Sequence, residues 1–154
     1  MRRAAVWASV LLIGAGIAAC GEDRNDAGGP FTPHGTPPPG GVAVNATVRE
    51  WRITADIQKI DAGPVKFTTA NLGTIEHEFV IVRTDYPDGG IPLEGNTFSE
   101  DAPGVSSPGE ISEFAPGDVE ATIIPLGPGH YQLVCNIPTH YHHGMHIPFE
   151  VVST

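Results

Sequence analysis

From Val42 to Arg49 the chain alternates: Val42, Val44, Ala46 and Val48 take one side, and Ala43, Asn45, Thr47 and Arg49 the other. A period of two is the mark of a half-buried strand. The phase slips near Trp51 and Ile53, which predicts a bulge. Val65, Phe67 and Thr69 alternate again, and the segment Glu78 to Arg83 holds the unbroken apolar run Phe79-Val80-Ile81-Val82. Further strands are predicted at Glu120–Ile124, Tyr131–Val134 and Phe149–Val152. The breakers Ala62-Gly63-Pro64, Ala115-Pro116-Gly117-Asp118 and Gly127-Pro128-Gly129 separate them. Asp85 to Glu110 is a long excursion rich in glycine, proline and acid, with room for a short helix or strand. No segment sustains a 3.6-residue period. The predicted architecture is all-β, a sandwich of about seven strands without an internal repeat.

The first forty-one residues follow other rules. Met1-Arg2-Arg3 is a positive start, and Ala4 to Ala19 carries no charge. Sixteen residues at ~1.5 Å each span roughly 24 Å as a helix, short of the ~30 Å hydrocarbon core of a bilayer. Residues 1–19 therefore read as a signal peptide. Ile17-Ala18-Ala19-Cys20 looks like a bacterial lipobox, in which Cys20 is lipidated and becomes the new N-terminus. Residues 20–41 form a spacer: Gly28 to Gly41 has ten Gly or Pro in fourteen positions, too little apolar surface to offset the entropy of ordering. Proline stiffens it, and His34 within it reads as a solvated linker residue. The folded domain is expected over residues 42–154. The protein is expected outside the cytoplasm, on the periplasmic or cell-surface face of a bacterial membrane, held there through its lipid anchor.

Charge and cysteine count narrow the function. The chain has 8 Lys and Arg against 18 Asp and Glu, a net charge of −10 that becomes −12 if Arg2 and Arg3 leave with the signal peptide. So acidic a surface repels phosphate backbones and excludes nucleic acid as a partner. The two cysteines are too few for a disulfide framework. With Cys20 assigned to anchoring, Cys135 has no partner.

Cys135 opens the segment Cys135-Asn136-Ile137-Pro138-Thr139-His140-Tyr141-His142-His143-Gly144-Met145, which lies between two predicted strands. Met145 is the one methionine after the initiator. A thiolate, an imidazole and a thioether within eleven residues form a soft donor set. Two histidines, one cysteine and a weak axial methionine suit copper in electron-transfer sites. The natural second histidine is His77, at the head of His77-Glu78-Phe79-Val80-Ile81-Val82, so only the folded sandwich could bring it close.

These residues resemble the cupredoxins, the small blue copper proteins. Tyr131-Gln132-Leu133-Val134-Cys135, then Pro138-Thr139-His140 and Gly144-Met145, resembles the family's strand end and ligand loop. Pro128-Gly129-His130-Tyr131 resembles its Pro-Gly-x-Tyr turn, and Asn71 to Phe79 its first-histidine strand. The likeness covers roughly residues 42–154. It implies a Greek-key β-sandwich, one type 1 copper per chain, and His77, Cys135, His140 and Met145 as its ligands. Three residues depart from the pattern. Thr139 replaces the usual glycine, and would be strained in a loop that needs a positive φ. Glu78 stands where several relatives have an asparagine that ties the ligand loops together. His146 follows Met145 where glycine is frequent.

Three function classes compete. The resemblance implies a one-electron carrier, with redox proteins of an extracytoplasmic chain as partners. An enzyme is not expected: Val134 and Asn136, not histidines, flank Cys135, and one loop cysteine cannot build a binuclear centre. The alternative is copper trafficking or storage, for which His142, His143 and His146 are the positive sign. These three read as an exposed patch, and His130 as a turn residue. Asn45-Ala46-Thr47 fits a glycosylation sequon but reads as strand sequence. The acids of the excursion lack calcium-loop spacing and are expected to keep it solvated.

Overall fold

Val44, Ala46 and Val48 are buried while their neighbours are half-exposed, so the alternation at the start of the domain becomes β1 (Val42–Arg49). The computed structural model describes residues 36–153; the signal peptide, Cys20 and His34 lie outside the described residues. Eight further strands follow: β2 (Arg52–Ala55), β3 (Lys59–Asp61), β4 (Gly63–Asn71), β5 (His77–Thr84), β6 (Val105–Phe114), β7 (Val119–Leu126), β8 (Gly129–Val134) and β9 (His146–Val152). They form two sheets, ordered β2-β1-β4-β7 and β3-β9-β8-β5-β6. β1 runs parallel to β4 and β3 parallel to β9, and the other pairs are antiparallel.

The count of nine exceeds the expected seven, for two reasons. β2 and β3 have four and three residues, too few to display a period. β6 is mostly polar, burying only Val105, Ile111 and Phe114. It lies at a sheet edge, where Pro108 is tolerated. The phase slip at Trp51 is likewise a hairpin rather than a bulge, since Arg49 pairs with Arg52 across the turn. The register shifts occur instead between β5 and β6.

The main core fills the space between the sheets. Phe67 sits at its centre, with the rings of Phe79 and Phe149 both 5.8 Å away. The other face of the second sheet is covered too. Val80, Val82 and Val134 pack there against Ile91, Phe98, Val105 and Tyr141. This explains the unbroken run in β5: Phe79 and Ile81 enter one core, Val80 and Val82 the other. The excursion after Asp85 is therefore a cover with its own apolar residues, not merely a solvated loop. No helix occurs among the described residues. His130 lies within β8, not in a turn, and its exposed ring is 3.3 Å from Asp85.

Candidate metal centre

The pairing of β5 with β8 builds the site. Its antiparallel register, Val80 opposite Val134, carries Cys135 alongside the first residues of β5, where His77 begins the strand. The loop after Cys135 then turns back on itself. His140 N–H donates to Ile137 O, Met145 N–H to His140 O, and Cys135 N–H to Met145 O at 3.0 Å. The last bond closes the loop and sets Met145 beside Cys135 along the backbone.

His77, Cys135 and His140 come together. Their donor atoms all lie within 4.8 Å of one another, and this is the one such group of three among the described residues. Both rings turn Nδ1 inward: the two Nδ1 atoms are 3.3 Å apart, and Cys135 Sγ is 3.3 Å from that of His140 and 4.0 Å from that of His77. Cys135, Met145 and His77 are fully buried, and His140 is 5% exposed. Burial depresses both histidines, each aided by a neighbouring histidine (His140 for His77, His143 for His140), so both imidazoles are neutral and able to ligate. Burial also pushes the Cys135 thiol up to about 11. A bound cation therefore has to displace its proton. Soft sulfur donors and neutral imidazoles, dry and mutually close, fit copper. The arrangement is that of a type 1 copper site.

The excursion holds the ligand loop in place. Phe98 N–H donates to Asn136 Oδ1 and Asn136 Nδ2 to Phe98 O, both at 3.0 Å. Thr139 N–H donates to Asn96 O. Buried Tyr141 donates to Gln132 Oε1 at 2.9 Å and accepts from Ile91 N–H. Glu78 does join the two ligand segments, accepting from Asn136 N–H, while its own N–H points to Cys135 Sγ at 3.5 Å. Burial pushes the Glu78 carboxyl up to about 7, with Glu100, Glu110 and Glu113 adding to the rise against the hydrogen bond from Asn136.

Thr139 takes the strained conformation, with φ at +76°, the one non-glycine residue with positive φ among those described. For a β-branched residue this costs on the order of 1–3 kcal/mol. Thr139→Gly removes the strain but adds freedom to the unfolded chain, so a net gain of about 1 kcal/mol is expected. Urea unfolding of the metal-free protein checks this, and an unchanged or lower midpoint counts against the strain.

The remaining histidines do not form one cluster. His142 and His143 are exposed, while the ring of His143 lies 4.6 Å from that of Trp51. His146 is half-buried and bonds Asp88 at 2.8 Å. The sequence reading passed over Trp51 and Glu50. Trp51 stands edge-on to His140 at 5.1 Å. Glu50 accepts from Thr74 N–H at 2.6 Å, Thr74 Oγ1 at 3.0 Å and Ile75 N–H at 3.0 Å. Thr74 N–H foremost, with the neighbouring donors, holds the Glu50 carboxyl down to about 2. The break in alternation at Trp51 was the signal available, because it marked the turn that carries both residues.

No protein-family model matches the sequence, and no curated protein matches it. Solved structures do. Auracyanin B is 18% identical, with a TM-score of 0.57 over 77% of this chain and 92% of that one. Rusticyanin from Thiobacillus ferrooxidans is 20% identical, with a TM-score of 0.56 over 71% of this chain and 76% of that one. A second structure of rusticyanin, described as a copper protein, is 21% identical, with a TM-score of 0.54 over the same shares. The fold is the cupredoxin β-sandwich.

Proposed function

We propose that this cupredoxin-fold domain is a one-electron carrier built on a single type 1 copper, anchored by lipid at Cys20 outside the cytoplasm of a bacterial cell. The observation that carries the reading is the convergence of His77, Cys135 and His140 in one buried group, with Met145 fixed beside Cys135. Copper bound there would supply a one-electron couple. The residues supply a rigid, dry cage: two imidazoles and a thiolate as strong donors, and a thioether as the weak axial one. Because the loop closes on itself and is pinned by Asn96 and Phe98, its donors move little when charge changes. His140 comes nearest the surface, behind Trp51, and gives the site its outlet toward redox protein partners. Val134 and Asn136 rather than histidines flank Cys135, and one loop cysteine cannot build a binuclear centre, which favours a carrier over an enzyme. For copper trafficking or storage the support is thinner, since His146 is turned to Asp88 and His143 lies on Trp51.

The test is an optical and EPR spectrum of the copper(II)-loaded protein followed by voltammetry. An intense visible band and a reversible one-electron wave are expected. Rapid copper(I) transfer to a partner without electron exchange would favour trafficking instead. Met145→Gln, which offers a harder oxygen, should lower the potential, and Met145→Leu, which removes the donor, should raise it. If neither change moves the potential, Met145 is not the axial ligand.

A further inference from the structure

His77 leaves one polar atom unexplained. Its Nδ1 faces Cys135 and His140, but its Nε2 is fully buried and has no hydrogen-bond partner. A neutral imidazole carries its proton on one of these two atoms, and the charges and dipoles that face each nitrogen bias which. The polar group facing Nε2 is the Glu50 carboxylate, with Oε1 at 3.9 Å. Glu50 is not free to wander, because Thr74 and Ile75 hold that same oxygen with three hydrogen bonds. Gly73 makes the approach possible. A Cβ there would fall 2.9 Å from both Glu50 Oε2 and His77 Nε2, so any side chain would occupy the gap between the two groups.

We propose that Glu50 is a positioning residue for the metal centre: its carboxylate keeps the His77 proton on Nε2, leaves Nδ1 free to ligate, and sets a fixed negative charge that lowers the reduction potential. The proposal rests on the copper reading above for its potential, but not for its tautomer. Outer partners of this kind commonly govern ligand basicity as well as orientation. A negative charge next to a ligand ring favours the more positive copper(II) state over copper(I).

The test uses the full chain, with two readouts. In the copper(II)-loaded protein at neutral pH, Glu50→Gln should keep the visible band while shifting preference toward copper(I) by about tenfold. That corresponds to a rise of ~59 mV for one electron. Gly73→Ala, which wedges the two groups apart, should move the potential the same way. Glu76→Gln, which removes an exposed charge nearby, should leave it in place. In the metal-free protein, two-bond nitrogen–proton NMR should show His77 as a single Nε2–H tautomer, and Glu50→Ala should give a mixture. A Glu50→Gln potential equal to wild type overturns the electrostatic role, and a single unchanged tautomer in Glu50→Ala overturns the positioning role. A colourless wild-type protein would sink the copper reading, yet the tautomer measurement would still judge what Glu50 does to His77.

Discussion

Cys135→Ser is expected to abolish the intense visible band of the copper(II)-loaded protein. That band comes from charge transfer out of a thiolate, and Cys135 is the one cysteine among the described residues. Its sulfur is the atom around which the other donors gather, 3.3 Å and 4.0 Å from the inner nitrogens of His140 and His77. Serine offers a smaller, harder oxygen that gives up its proton far less readily and suits copper poorly. Copper should bind more weakly and without colour. Absorption and EPR spectra check this directly. Colour that survives the change would mean the band arises elsewhere and that the proposed donor set is wrong. The fold should be retained, because the site is lined by the same strands whether or not sulfur is present.

Asn71→Ala is expected to cost about 2–4 kcal/mol of folding stability. Asn71 ends β4 fully buried. Its Nδ2 donates to Ile75 O and Phe114 O, both at 2.9 Å, and its Oδ1 accepts from Gly73 N–H at 2.9 Å. Alanine removes all three bonds, one of them lying wholly in the interior. Removing one side of a buried hydrogen bond costs about 1–3 kcal/mol for each group stranded. The loss should appear in urea unfolding of the metal-free protein, and a change below about 1 kcal/mol would show that water or relaxation satisfies the groups. The bonds also fix residues 71–75, which hold Glu50 and lead into His77. The same variant should therefore broaden the NMR signals of that segment.

Some of this was written plainly in the sequence. Val44, Ala46 and Val48 announced β1 because one face of it is wet and the other dry. The ligand loop stood out because Cys135, three histidines and Met145 are close along the chain, while the choice of His140 among those histidines came from the resemblance to the cupredoxins. What escaped notice depends on pairing. β6 shows no alternation because its outer edge is unpaired and polar, and only its contact with β5 makes it a strand. Glu50 carries no signal of its own in the sequence. Its meaning lies in Thr74, Gly73 and His77, more than twenty residues away, which β1 and β4 bring to it by running parallel. Thr139 shows a subtler case: the sequence signalled that a positive φ there would be strained, and the chain adopts it regardless. Thr139 N–H donates to Asn96 O and Thr139 O accepts from His143 N–H, and these bonds hold it there.

The parallel pairing of β3 with β9 has a kinetic consequence. Lys59, Ile60 and Asp61 find their partners at Glu150, Val151 and Val152, with an ion pair of 3.0 Å between Lys59 and Glu150. A strand from the first half of the domain thus waits for one from its end before the larger sheet can be completed. Closing so long an intervening loop takes entropy before any contact rewards it. Such topologies fold on the order of milliseconds to seconds rather than microseconds. During that interval one edge of β9 is open, while its other edge pairs with β8. Refolding should therefore show its slowest phase in probes placed on β3 and β9, after the hairpin that carries Cys135 and Met145 has already closed.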